Sequence, residues 1–285
     1  MKKVLLASTA LVLSAGVAAA DVSVGGDGRM GIVSLNGADV SFTSRIRISF
    51  SASGETDGGL AFGGSIRADN ASTVDGGGDV GTAGSVFVEG AFGKLSMGDV
   101  SGAPEAAVGD LSGVGLTGLG DFNEMVYLSN SDRPAARWDY SMGDLGLHVS
   151  ADNPGPAGDQ AYGVAVTYAM GDISMGLGYE SVGSSDHIIG GVSAGFGDAT
   201  VKVIYGTADL AGVDFDQYGA SLDYVFGAAT VTAFYTKAEL GGVSGDAYGI
   251  GAAYDLGGGA SLKGGIVDGD ALTDASYDFG ISMSF

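Results

Sequence analysis

The sequence predicts an all-β protein, an antiparallel up-and-down barrel of sixteen strands, and three observations predict it. Glycine supplies 54 of the 285 residues, hydrophobic residues alternate with small or polar ones along most of the chain, and tight turns alternate with longer loops. Glycine at well over twice its usual share of roughly 7% disfavours helix, and only 4 prolines exclude collagen and proline-rich linkers.

Other classes fall to composition. A hydrophobic content of 45% and a mean hydropathy of +0.27 exclude a disordered chain, which is charged and poor in apolar groups. A net charge of -22 and a pI near 4.1 repel polyanions and argue against nucleic acid as a partner. With Cys 0 there are no disulfides, thiol nucleophiles or cysteine-ligated metals.

The chain opens on Met1-Lys2-Lys3, runs uncharged from Val4 to Ala20 and ends that run on Ala18-Ala19-Ala20. A short basic start, an apolar stretch and small residues at its end make a secretory leader, so residues 1-20 are expected to be cleaved. Ser8, Thr9, Ser14 and Gly16 interrupt the stretch, which is too short and polar for an anchor helix. Residues 21-285 then form one domain.

Within that domain, strands end at an apolar residue followed by glycine and a turn: Phe92-Gly93-Lys94, Met142-Gly143-Asp144, Met170-Gly171-Asp172, Phe196-Gly197-Asp198, Phe226-Gly227-Ala228 and Leu256-Gly257-Gly258. Most of these glycines stand about 28 residues apart, room for two strands of about ten residues, one tight turn and one loop. Seven tight turns are expected at 53-59, 93, 143, 171, 197, 227 and 257-259. Eight longer loops are expected near 35-39, 70-82, 101-135, 152-160, 182-187, 207-216, 239-247 and 268-275. These connections join sixteen strands.

Parity fixes their faces. Tyr162, Val164, Val166, Tyr168 and Met170 share one side, as do Tyr218, Ala220, Leu222, Tyr224 and Phe226, and Tyr248, Ile250, Ala252, Tyr254 and Leu256. A soluble sandwich also alternates. Aromatic residues near the ends of the apolar faces, and the one-sided pattern of short and long connections, favour a membrane barrel. An even strand number closes the sheet and leaves no unpaired edge in lipid. Sixteen strands enclose an aqueous channel, so the small polar inner faces are expected to line water.

The start Asp27-Gly28-Arg29-Met30-Gly31, the segment Thr43-Ser44-Arg45-Ile46-Arg47, the stretch Ala91 to Asp99 and the late Ala252 to Gly259 follow one another in an order that resembles bacterial general-diffusion porins, in particular the trimeric porins of photosynthetic purple bacteria. That resemblance covers the whole domain. It implies an outer-membrane location, a passive channel for small hydrophilic solutes and ions, a homotrimer, and a third long loop folded into the barrel. It also implies that Phe285, last of the apolar positions Tyr277, Phe279, Ile281 and Met283, is read by the outer-membrane assembly machinery. Calcium near the constriction is a further implication, although no fixed-spacing calcium loop is present.

The loop at 101-135 exceeds the length of ordinary connections, which points to a function. It carries Glu105, Asp110, Asp121 and Glu124, with Asp99 just before it, and these form the expected acidic lip. Parity sends Arg29, Arg45, Arg47 and Arg67 inward, since lipid penalises an arginine at midplane by about 2-4 kcal/mol. Pairing of these arginines with Asp27 or Asp69 is compatible with that role.

Signals for other functions are weaker. Gly26-Asp27-Gly28-Arg29-Met30-Gly31 matches a dinucleotide fingerprint, but a chain this rich in glycine produces such matches by chance. The alternatives to a general pore are a solute-specific pore, or an outer-membrane enzyme or adhesin on the same barrel. An enzyme would need a placed base, and the histidines are His148, expected on the lumen wall, and His187, expected exposed at a loop edge.

Overall fold

The computed structural model describes residues 21–72, 84–129, 134–154 and 158–285. The expected leader 1-20, most of the loop near 70-82 and a few residues of the loops 101-135 and 152-160 lie outside them. Sixteen antiparallel strands, β1 (Asp21–Ser34) through β16 (Ser276–Ser284), follow one another around a closed barrel in chain order. The other strands used below are β2 (Ser41–Glu55), β3 (Ala61–Ser72), β4 (Gly84–Gly90), β5 (Gly93–Gly98), β6 (Ala135–Met142), β7 (Leu145–Ala151), β8 (Ala161–Met170), β9 (Ile173–Val182), β10 (Ser185–Phe196), β11 (Ala199–Asp209), β12 (Asp214–Phe226), β13 (Ala229–Leu240), β14 (Val243–Gly257) and β15 (Ala260–Gly269).

Closure happens between the first and last strands. β1 pairs β16 from Asp27↔Ser284 to Ser34↔Tyr277. The ladder runs one step further, because Phe285 N donates to Gly26 O (3.0 Å) and Gly26 N to Phe285 O (2.7 Å). Gly26 and Gly28 carry no side chain on the outer face, and a Cβ at Gly26 would meet the Phe285 ring at 2.9 Å. The last residue therefore lies over the seam.

The apolar faces are exposed on the outside of the barrel. Tyr162, Tyr179, Tyr205, Tyr218, Tyr235 and Tyr248 make a band at the loop end, and Tyr168, Tyr224 and Tyr254 a second at the turn end. Two belts of amphipathic rings match the two interfaces of a bilayer.

All seven tight turns fall at the expected places. The other end differs. The loops expected at 182-187, 207-216 and 239-247 are tight turns at 183–184, 210–213 and 241–242, with the strands continuing almost to them. Ala211 (φ 54) with Gly212 (φ 90), and Gly241 (φ 57) with Gly242 (φ 84), supply the consecutive positive φ angles of a two-residue hairpin turn. The polar residues that suggested loops belong to strands that pass the tyrosine band into water. Asp216 and Asp246 there accept hydrogen bonds from the hydroxyls of Tyr205 (2.9 Å) and Tyr235 (3.1 Å).

Replacing Phe285 by Ser keeps the last backbone bonds but uncovers the seam. Secretion should continue, while the yield of membrane-inserted barrel that shifts mobility on heating should fall. Normal yield of heat-modifiable barrel would contradict this.

Candidate functional site

Between β5 and β6 the chain leaves the wall, forms α1 (Ala103–Val108) and crosses the inside of the barrel before returning. Its contacts fall on the face opposite the exposed apolar band, on consecutive strands from β7 through β16 and on β1. Glycines on that wall make the approach possible. A Cβ at Gly178 would meet Pro104 at 2.6 Å, one at Gly219 would meet Leu111 at 2.5 Å, and one at Gly280 would meet Leu116 at 2.6 Å. Over this sector the small inner residues seat a segment of chain; they do not line water as expected.

Two apolar clusters form beneath the segment. Val108, Leu111 and Met125 pack on inward-facing Ile189 and Ile204, while Val114 and Leu119 pack on Phe234 and Val267. The barrel's packed core is thus between the segment and one side of the wall.

Buried carboxylates bolt the segment down at two places. Asp278 on β16 accepts from Leu116 N (2.9 Å), Thr117 N (2.6 Å) and Thr117 Oγ1 (2.7 Å). Glu180 on β9 accepts from Leu128 N (2.7 Å), Ser129 N (3.0 Å) and the Ser129 hydroxyl. His187 lies directly across the ladder from Glu180, only 1% exposed, with Nδ1 2.9 Å from the Glu180 carboxylate. The expectation of an exposed His187 fails because 182-187 is not a loop: the residue belongs to β10 and faces inward. Its Nε2 lies 3.1 Å from Gln217 Nε2, an amide that also donates to Val126 O (2.8 Å) while its carbonyl accepts from Val126 N (2.8 Å). That pattern makes Nε2 the acceptor and places the ring proton on Nδ1, facing Glu180. Further ties are Lys202 Nζ to Asp110 O (2.7 Å), Ala103 N to Ser150 Oγ (2.8 Å) and Arg137 to Ser101 O (2.9 Å).

The wall from β1 to β3 carries the arginines. Arg29, Arg45, Arg47 and Arg67 all take the inward parity. Arg45 pairs with Asp27 (3.0 Å), and Arg47 (3.1 Å) and Arg67 (2.7 Å) share Asp69. Arg29 stands across the ladder from Arg45 and donates to Leu116 O at 3.1 Å, so it bridges wall and segment. Four arginines against two aspartates leave the wall positive.

On the segment, Glu105, Asp110, Asp121 and Glu124 act on one another electrostatically. Burial, followed by the charges of Asp121, Asp110 and Glu105, pushes the Glu124 carboxyl above its ordinary range. Burial also raises Asp110, although Met125 N donates to it at 2.8 Å. Burial, followed by the charges of Asp110, Glu105 and Glu180, raises the Tyr127 hydroxyl above its ordinary range, and it donates to Gly109 O (2.8 Å). Asp99 stands at the start of the segment and is not among the charges acting on Glu124. Among the described residues no three His, Cys, Asp or Glu side chains are grouped to hold a metal, so the acids do not form a ready calcium cage.

His148 faces the lumen as expected, with Nδ1 2.7 Å from Asp139, which Arg137 also binds (2.9 Å). Sequence reasoning did not single out Arg137, Glu180, Gln217 or Asp278. Their inward parity was readable, but their partners lie 36 to 162 residues away.

Comparison with known proteins agrees with this geometry. Residues 7–272 match the Gram-negative porin family. The Porin of Rhodobacter capsulatus is 36% identical over 307 residues, covering 93% of this chain and 100% of that protein. A porin structure refined at 1.8 Å resolution is 34% identical with a TM-score of 0.81, covering 93% of this chain and 100% of that one. A variant of the Rh. blastica porin is 25% identical with a TM-score of 0.69 over the same shares.

Glu180→Gln puts an amide donor among the N–H groups that the carboxylate now accepts. At about 1.5-3 kcal/mol for a lost charge-assisted bond, amide exchange around Leu128 and Ser129 should accelerate about tenfold or more, and current through the barrel should grow noisier. Unchanged exchange by mass spectrometry would show that the carboxylate does not hold the segment.

Proposed function

Because the chain belongs to the Gram-negative porin family and so forms an outer-membrane channel for passive diffusion of small hydrophilic solutes, we propose that its narrowest passage runs between the arginine wall of β1 to β3 and the acidic segment facing it. The observation that carries this reading is Arg29, which bonds the segment at Leu116 while lying within the electrostatic reach of Asp121, Arg45 and Arg47. In this reading, Arg29, Arg45, Arg47 and Arg67 form one side of the gap, and Glu105, Asp110, Asp121 and Glu124 the other. Asp99 marks the entrance to the segment.

Opposed charges across a water-filled gap impose a transverse field. Dipolar solutes align in it, and apolar ones must displace ordered water without replacing its hydrogen bonds. No bond is made or broken in transport. Calcium, a hard cation that takes oxygen ligands, belongs on the acidic side of the gap in this reading.

The leader belongs to the same proposal: cleavage after Ala20 leaves Asp21, the first residue of β1, at the N-terminus. The homotrimer rests on family resemblance and on one feature of the outer surface. None of the chain's tyrosines lies on β1 to β5, where the outer face offers Val22, Phe50, Ala52, Gly64, Ile66 and Val86. A sector without interfacial tyrosine is suited to contact another subunit. Ala52→Arg should therefore shift the unheated protein toward monomer, whereas Ala220→Arg on β12 should reduce membrane insertion instead.

The ion preference tests the two walls. The native pore should be weakly cation-selective, because the acidic segment and the chain's net charge outweigh the arginines. Arg45→Ser with Arg47→Ser should strengthen that preference. Neutralising Asp110, Asp121 and Glu124 should move it toward anions, and both effects should shrink in concentrated salt, where the screening length falls to about 3 Å at 1 M. Raised carboxyls take up protons before ordinary ones as pH falls, so cation preference should begin to decline above the usual carboxylate range. Reversal potentials in a salt gradient read all of this. Equal values for native and both variants would remove the two-wall reading.

A further inference from the structure

The sector of wall left uncovered by the crossing segment changes character toward the turn end. Below the arginines, the inward residues of β1 to β4 form a row of hydroxyls: Ser23 pairs Ser51, Ser51 pairs Ser65, and Ser65 pairs Ser85. The next row reads Asp21, Ser53, Gly63, Phe87 and Ser96 across β1 to β5. Phe87 brings an aromatic ring to a wall otherwise built from small residues, and Lys94 Nζ sits 4.4 Å from its centroid. Gly63 leaves the space that the ring needs, since a Cβ there would meet Phe87 at 2.7 Å.

Charge distinguishes this patch from the belt above it. Lys94 stands across the ladder from Glu89, and Arg67, one inward position above Ser65, is paired with Asp69. Lys94 offsets Glu89 and Asp21 leaves one negative charge at the edge of the patch, whose chemistry is otherwise that of serine hydroxyls, each both donor and acceptor. Four serines on adjacent strands span about 14 Å at ~4.8 Å per strand. A disaccharide fits within that span.

We infer that this face is a weak binding subsite for neutral hydroxyl-rich solutes of the sugar class. Serine hydroxyls exchange water for sugar hydroxyls at little cost in desolvation, because each side regains the bonds it loses. The half-buried Phe87 ring contributes an apolar edge for the C–H groups of the sugar, and Lys94, which covers one face of the ring, adds a fixed donor. The subsite rests on the channel reading, and it would hold a solute in line with the gap.

Planar-bilayer recording tests it with maltose as probe and a polyethylene glycol of similar mass as control, each added on the turn side. Maltose should lower potassium chloride conductance along a saturating curve, and the polymer should lower it linearly through excluded volume. Phe87→Ser, and separately Ser51→Val with Ser65→Val, should each raise the half-effect concentration at least severalfold, with every variant scaled to its own salt conductance. Two variants in different rows guard against one that fails to assemble. Linear response to both probes, or saturation unchanged in both variants, would overturn the subsite alone. A barrel that carries no ion current would overturn the channel reading and the subsite with it.

Discussion

Everything in this structure depends on a hydrocarbon solvent that offers the backbone no hydrogen-bond partner. A sheet can cross such a layer only if its first and last strands pair. Here that pairing runs from Asp27↔Ser284 to Ser34↔Tyr277 and extends through the Gly26–Phe285 bonds. The same solvent sorts side chains by parity, which is why the apolar positions of each strand point out and the arginines of β1 to β3 point in.

Closure creates a second constraint. A sixteen-stranded barrel is too wide for its own side chains to fill, so selectivity requires something added inside. The segment between β5 and β6 supplies it at the expense of side chains on the wall beneath. Glycine at Gly178, Gly219 and Gly280 gives it room, and Asp278 and Glu180 accept the backbone donors that an irregular crossing leaves unpaired. The abundance of glycine thus has two sources, turns at both ends of the barrel and the seat of the segment within it.

Legibility in the sequence followed the range of the forces. Parity is local, so sixteen strands, seven tight turns and the inward arginines could be read from neighbours in the chain. Turn length is less so. Asp209, Asp214 and Asp216 look like loop residues, yet they sit on β11 and β12 beyond the membrane, where the strand meets water on both faces. Least readable were the anchors. Glu180 and His187 face each other across one hairpin, but their role depends on Ser129 and Leu128 about 50 residues away, and nothing in the periodicity of β9 distinguishes an anchor from a wetted wall residue.

The account turns on the crossing segment lying inside the barrel against its glycine seat. A direct measurement is disulfide formation between Ser112→Cys on the segment and Ser221→Cys on the wall, since Ser112 N donates to the Ser221 hydroxyl at 3.1 Å and the chain has Cys 0 otherwise. Mild oxidation of the assembled protein should close the bond within single subunits and leave ion conductance close to its value before oxidation. Two thiols that stay reduced and react freely with a water-soluble reagent would contradict the placement of the segment.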